Sequence, residues 1–571
     1  MNVPESVPPP PRAIPAQSPS AREQHHRETL VRSAGIASAA VFLSRITGLV
    51  RETVMAQLFG ASGVYDAYSL GFRIPNLTRD LFAEGALSSA FVPTFTEYLS
   101  TKGKAEAARL ANLVMTAVVL IVGVLCVLGM VFSPALVSVL ASGWKEDPEK
   151  FALAVRMTRI MFPFLLLIAL SAQAMGMLNA SGVFGVPALA SMWFNIGSVV
   201  VGLLLGAVAG PWIGISTVEG MAYGVVAGGF LQLISQAPSL RRTGFHLHPA
   251  LDFSDPGLRR IFGLMGPAII GNAAVQVNVA VNTNFASMVI DPLRGADGPV
   301  SWLQYAFRFM QLPLGLFGVA IASATLPAIS RAAASKDIDQ FRRTLAHSLG
   351  TVFLMTVPSS VGLAILGESV IGLIYQGRRF NAYDTHQTAV ALSAYVVGLA
   401  GYSAVKVLAP AFYTLGTART PMLVSVTSIL INLGVAWTMT RQFGMGHVGL
   451  ALATSGVALF NALALLWLIR GKLGGIHGRA LLESTLKIAA ASAVMAVAIW
   501  MSNKLIVDTF GTGRIGRLTD VAVSIPLGIA VFYTGCRLLH VAELETAVRA
   551  VAGPLARSRA GRVLKSGSNG R

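Results

Sequence analysis

Charge is the scarcest thing in this chain. Only 12% of its 571 residues are Asp, Glu, Lys or Arg, about half the share of an average soluble domain. Hydrophobic residues make up 54%, and the mean hydropathy is +0.64. The shortage runs along most of the length, which excludes a soluble enzyme with a single anchor and leaves a polytopic membrane protein. Cysteine is nearly absent as well. Cys126 and Cys536 both lie in apolar segments, so they read as small apolar packers and not as a disulfide framework. No HExxH and no phosphate-loop lysine motif occurs, so nothing points to an enzyme. GTGRIG at 511–516 sits between two predicted spans with no strand before it, and His246 and His248 have no further ligands nearby, so neither makes a dinucleotide or metal site. No cleavable signal peptide is evident. Residues 1–32, with PPPPR at 8–12 and HHRE at 25–28, read as a disordered cytoplasmic extension.

What charge there is leans positive, with a formal net of +18. The basic residues stand in short loops between apolar runs, where they set topology, so nucleic acid is not the partner. Reading windows of about 20 apolar residues predicts fourteen spans: near 34–59, 66–98, 106–137, 151–179, 186–208, 214–238, 259–290, 299–333, 340–372, 384–415, 421–440, 447–469, 482–503 and 518–540. Lys102, Lys104, Arg241, Arg242, Arg259, Arg260, Arg331, Lys336, Arg342, Arg343, Arg419, Arg470, Lys472 and Arg479 then fall in the even-numbered connections. The opposite loops are poorer in net positive charge: 60–65 and 209–219 have no Lys or Arg, and 138–150 balances Lys145 and Lys150 with acids. Arg378, Arg379, Arg514 and Arg517 are exceptions. The bias predicts both termini on the cytoplasmic side.

The chain also repeats itself. Pro93 and Pro327 follow the small-residue stretches LSSAFVP and IASATLP, and 327 − 93 = 234; Pro187 and Pro421 keep the same offset. A six-span repeat is even, so both copies share one topology and are related by an axis along the membrane normal. The expected organisation is an N-lobe over 33–242 (helices 1–6), a C-lobe over 257–470 (helices 7–12), two added helices over 481–541 and a basic cytoplasmic tail over 542–571.

The remaining charges lie inside the spans, at about 2.5–3.5 kcal/mol each near a helix centre. Arg45, Gly48 and Glu52 share one face of the first helix, and Arg51 points away from it. In the second, Asp66, Arg73, Asp80 and Glu84 form one polar stripe on an ideal helix, with Arg79 elsewhere and Pro75 able to reset the phase. Arg308, in YAFRFMQLP, is a lone cation in the second lobe. Arg51 and Asp66 are close enough to the first outer loop to snorkel to the interface, whereas Arg45 and Arg308 are deeper. Facing stripes of this kind predict a charged interior cavity, and arginine on two or more helices suits an anionic head group, its planar fork matching phosphate.

These residues also carry a resemblance. The stretch SRITGLVRETVMAQLFGASGVYDAYSLGFRIPNLTRDLFAEGALSSAFVPTFTEY resembles the opening signature of the MurJ (MviN) family, the lipid II flippases of bacterial peptidoglycan synthesis. These belong to the wider group of multidrug/oligosaccharidyl-lipid/polysaccharide exporters. VSWLQYAFRFMQLPLGLFGVAIASATLPAIS and KVLAPAFYTLGTARTP continue it, over roughly 34–540. The resemblance implies an all-α fold in the bacterial inner membrane, with fourteen helices in two six-helix lobes, a cationic central cavity and a groove for the prenyl tail on the last two helices. It implies alternating access that moves lipid II from the inner to the outer leaflet. It places the family's substrate-binding arginines on Arg45, Arg51, Arg79 and Arg308, and its helix 2 acid on Asp66; Ser44, Gly48, Asn76 and Glu84 also match signature positions. Glu52, Arg73, Asp80 and Glu84 join Asp66 as gating groups or charge partners. No cofactor or metal is implied; lipid II, membrane lipids and cell-wall synthesis proteins are the implied partners.

The chain departs from some relatives. Phe307 and Gln311 stand where those have acids beside the helix 8 arginine. Some members use acids in helices 7 and 11 for a sodium site; here Asn272, Gln276, Asn278, Asn282, Asn284 and Asn432 occupy those helices without an acid in either apolar core. The asparagines read as interhelical hydrogen bonds, and the coupling ion is left open. An inside-negative potential of about 100 mV is worth about 2.3 kcal/mol per charge, enough to return an empty cationic cavity to its inward-facing state, with Asp66 and Glu84 reclaiming the arginines. The competing reading is an exporter of another polyprenyl-linked glycan, or of drugs, on the same scaffold.

Overall fold

The computed structural model describes residue 40, residues 42–80 and residues 87–545. Glu84, the 1–32 extension and the basic tail from 546 lie outside the described residues. What is described is helical throughout, apart from one isolated bridge between Asp291 and Gly295. In chain order the main helices are α1 (42–59), α2 (Gly63–Arg79), α3 (Ser88–Thr101), α4 (Lys104–Val131), α5 (Pro148–Ala180), α6 (Gly185–Ile213) and α7 (Thr217–Arg242). There follow α8 (Pro256–Ser287), α9 (Pro299–Ala334), α10 (Ile338–Tyr375), α11 (Ala382–Val396), α12 (Leu399–Thr414), α13 (Arg419–Gln442), α14 (Gly446–Leu473), α15 (Gly478–Phe510) and α16 (Arg514–Leu538).

Ten of these are long and apolar enough to cross a membrane, and α11 with α12, bent by 42°, makes up to eleven. Three tracks expected to span fall short of that measure, each for a reason visible in its residues. α1 carries Arg45, Arg51 and Glu52 within its eighteen residues; α2 and α3 are short and α2 adds Asp66, Arg73 and Arg79; α8 is diluted by asparagines.

The polar residues that punctuate the apolar runs are mostly helix caps. The Ser62 hydroxyl accepts from the Tyr65 N–H to start α2. Asp147, with Pro148 at the first helical position, starts α5, and Asp255 with Pro256 starts α8. Ser216 with Glu219 and Asn381 with Asp384 form capping boxes. Each satisfies amides that a helix end leaves without partners.

Neighbouring helices in each half join through small or neutral residues. Gly220 and Gly224 of α7 lie flat on α6: a Cβ on Gly220 would fall 2.3 Å from Gly206 Cα, and one on Gly224 would fall 2.8 Å from Gly202 Cα. This is the close backbone approach that small residues permit where lipid removes any hydrophobic drive between helices. α1 hangs on α6 through the Asn195 amide, which donates to the Ser44 carbonyl (3.2 Å) and the Thr47 hydroxyl (3.3 Å). In the second half Asn278 donates to Ser428, Asn432 to Asn282 and Asn282 to Thr454, tying α8 to α13 and α14. The two sets echo the repeat, since 278 − 44 = 234. So do the π-helical turns Leu204–Ala209 in α6 and Thr438–Gln442 in α13, 438 − 204 = 234.

Replacing Gly224 by Val drives a branched side chain into the α6 backbone. Overpacking of this kind costs about 1–3 kcal/mol. The G224V protein is expected to melt several degrees lower in detergent; an unchanged melting curve would contradict this packing.

Candidate functional site

α1 and α9 run antiparallel, and their facing residues keep step. The Arg308 guanidinium of α9 reaches the Glu52 carboxylate of α1 at 3.2 Å. Two turns along both helices, the exposed Arg45 lies across Gly315, where a Cβ would stand 2.7 Å from its Nη2 atom. Gly315 belongs to a π-helical turn, Leu314–Val319, a feature frequent at functional sites. Arg45 and Arg308 therefore lie along one line of contact between α1 and α9.

Glu52 is the hub. It is buried and also accepts from Arg51 (2.9 Å) and from the Tyr65 hydroxyl (3.1 Å). Arg51 is buried as well, held between the rings of Phe72 and Phe194 at 5.4 and 5.2 Å from their centroids, a cation–π setting. The expected snorkelling of Arg51 does not occur, because Glu52 and two aromatic faces hold it inside. Nor is Arg308 alone: its partner is the acid of the other half.

Arg73 of α2 also points across, donating to Thr283 of α8 (2.8 Å) and Gln304 of α9 (3.1 Å). Arg79 departs from that line and pairs with its neighbour Asp80 at 2.7 Å. Asp80 stands at the C-terminal end of α2, its N–H still donating to the Asn76 carbonyl. Arg51 and Arg308 thus share Glu52, while Arg45 and Arg73, on the same set of helices, are in no ion pair among the described residues.

Beyond Glu52, towards the 60–62 loop, the halves are sealed. Tyr65 stacks on Tyr305 (4.8 Å between centroids, 8° between planes), and Tyr375 and Phe380 close round Tyr305 at 4.8 and 5.3 Å. Outside this plug, fully buried Asp66 accepts from Lys150 Nζ (2.9 Å), from the N–H groups of Gly298 (3.0 Å) and Ser301 (2.9 Å), and from the Ser301 hydroxyl. A carboxylate of the first half thus caps α9 of the second, where the helix dipole favours negative charge. Asp66 is no snorkeller, and its cation is a lysine. Lys150 also donates to Asp297 and to the Ala296 carbonyl, both at 2.8 Å. Asp384 ties in Arg294 (2.9 Å) and the Trp302 indole N–H (3.1 Å).

Sequence reading set Lys150 aside as a balanced loop charge, and no local pattern marks it otherwise. Gln304 was legible: it lies four residues before Arg308, on the same helix face. Among the described residues no cluster of His, Cys, Asp and Glu suits a metal ion.

Comparison with known proteins gives one family. The model of "Lipid II flippase MurJ" matches residues 55–518. A relative named lipid II flippase MurJ from Burkholderia cenocepacia is 34% identical over 432 residues, 75% of this chain and 81% of its own length. One from Vibrio cholerae, a probable lipid II flippase MurJ, is 32% identical over 531 residues, 90% and 96% of the two chains. Among solved structures, lipid II flippase MurJ in an inward closed conformation superposes with a TM-score of 0.71 at 27% identity, covering 88% of this chain and 99% of that one. An inward-facing multidrug transporter of the MATE family reaches 0.66 at 13% identity, covering 77% and 98%, a likeness of fold.

Replacing Lys150 by Met leaves Asp66 buried without its cation, a loss of about 3–5 kcal/mol. The sealed end is expected to loosen. An A61C variant, whose position is fully buried, should become reactive to a membrane-impermeant thiol reagent in the K150M background; equal protection in both backgrounds would refute the role given to Lys150.

Proposed function

This chain belongs to the lipid II flippase MurJ family, and on that premise we propose how its own residues carry the head group. The protein is a transporter, not an enzyme, and moves lipid II across the membrane. In our reading fourteen helices form the path, in two six-helix lobes with α15 and α16 added, and the termini are cytoplasmic. The sealed end then faces outward and the α1–α9 crevice opens inward.

The observation that carries the reading is the charge along α1, α2 and α9: Arg308 and Arg51 share Glu52, and Arg45 and Arg73 are in no ion pair among the described residues, which we read as a cationic crevice. The diphosphate of lipid II, which cannot enter hydrocarbon unaided, supplies the missing anions. Arg45 lies exposed on the inward side and meets it first. Arg308 exchanges Glu52 for phosphate, and Arg73 with Gln304 holds the sugar end. Arg79, paired with Asp80, stands nearer the entry. Glu52 takes Arg308 back once the head group leaves, so the guanidinium is never buried alone. The membrane potential acts on the net positive charge of the empty crevice and draws it inward. The prenyl tail stays in lipid, beside α15 and α16.

Two results test this. R45A and R308A are each expected to fail to support growth of a bacterium depleted of its own lipid II flippase, at membrane levels equal to wild type. Normal growth with either would remove the assignment. G315A, which pushes against the Arg45 guanidinium, is expected to lower outer-leaflet lipid II several-fold, yet to add nothing in an R45A background. Independent, additive effects would show that Gly315 does not act through Arg45.

A further inference from the structure

Positive charge belongs on the cytoplasmic side of a membrane protein. Two adjacent arginines on the opposite side need a physical reason. Arg378 and Arg379 lie in the turn between α10 and α11, at the sealed end, and both are exposed. Among the described residues neither guanidinium is in an ion pair.

The turn is a built platform. Its ends are drawn together by the Gly377 N–H, which donates to the Phe380 carbonyl at 3.0 Å. Phe380 is fully buried and edges onto Tyr305. Asn381 caps α11. From the other half, Gln57 of α1 spans the seam: its Nε2 donates to the Tyr375 carbonyl at 2.9 Å, and its Oε1 accepts from the Arg378 N–H at 3.0 Å. Gly60, at φ +64°, brings α1 so close that a Cβ there would meet the Arg379 carbonyl at 2.5 Å. The backbone of the turn is thus pinned to both sides of the seam. The two arginine side chains take no part in that pinning.

We propose that Arg378 and Arg379 form a second anion site at the exit, which receives the phosphate groups of the head group as the sealed end parts. It rests on the flippase reading, in which this end opens outward. A cation site deep in the crevice strong enough to load is slow to unload. A weaker, solvated site one step further out speeds release without deepening the first well, the multi-site logic of ion conduction. Forked guanidinium groups suit phosphate oxygens. Phospholipid head groups carry the same oxyanions, so the test must separate the two sources.

The full chain is reconstituted with lipid II in vesicles of pure phosphatidylcholine, and in vesicles that also contain phosphatidylglycerol. Translocation is read by an added lipid II-cleaving enzyme, and loading by lipid II binding to the purified protein. R378Q/R379Q is expected to bind lipid II as wild type does but to translocate it about tenfold more slowly, the worth of one charge-assisted hydrogen bond, in both vesicle types. R378K/R379K is expected to recover most of the rate. Wild-type rates in the glutamine variant overturn the proposal. So does a defect confined to phosphatidylglycerol vesicles, which assigns the pair to bulk lipid, or equal failure of the lysine variant, which assigns it to packing. Failure of the flippase reading shows separately, as wild-type protein that does not translocate lipid II at all.

Discussion

One carboxylate shared by two guanidinium groups holds the crevice together. Glu52 takes Arg51 from its own helix and Arg308 from the other half. A buried ion pair adds little net stability, because desolvation consumes most of the Coulombic gain, but breaking one is expensive. Glu52 is the buried member and Arg308 the part-exposed one, so it is the carboxylate that needs a cation beside it. Arg51 supplies one, held independently by Phe72 and Phe194, which on our reading leaves the Arg308 pairing as the one that exchanges.

The sealed end rests on the same constraint with different chemistry. Asp66 spends its acceptors on Lys150, two backbone amides and a hydroxyl. Its charge is spread over partners from both halves, and the aromatic plug beneath excludes competing groups. Parting the halves there strands Asp66 and Lys150 only if they separate from each other. They belong to the same half, on α2 and α5, and remain paired, while the amides of α9 are released. The joint is a charge pair kept whole on one side and a helix end uncovered on the other.

Much of this was legible before any fold was known. The rarity of charge exposed Arg45, Glu52, Asp66, Arg73 and Arg308 at once, because a charge inside an apolar run has few explanations. The repeat at 234 residues was legible from prolines alone, and the neutral clasps of Ser44 and Asn278 keep the same offset. What the sequence did not disclose was partnership. Arg51 looked like an interfacial side chain because its distance along the chain from the loop is short; that Phe72 and Phe194 close over it depends on how α1 meets α2 and α6. Lys150 looked like one charge among the acids of a loop, since its partner Asp66 is 84 residues away. Arg517, which offended the charge bias, is folded inward and largely buried against Gly372 of α10, a placement that only the packing of α16 supplies. Periodicity specifies which face a residue shares, not what comes to meet that face.

The division of labour between joints follows from what lipid tolerates. Within each half, helices meet through glycine, serine and asparagine: Gly220 on Gly206, Asn195 on Ser44, Asn278 on Ser428. Such contacts are neutral and worth about 0.6 kcal/mol apiece in a membrane setting. Contacts from α1, α2 and the 60–62 loop to α9 and its neighbours include ionic ones and ones made to backbone: Arg308 on Glu52, Asp66 on the end of α9, Arg294 on the Ala61 carbonyl. An ionic contact beside a polar crevice can trade one anion for another. On our reading the surfaces that part are those joined by Arg308 on Glu52 and by Asp66 on the end of α9.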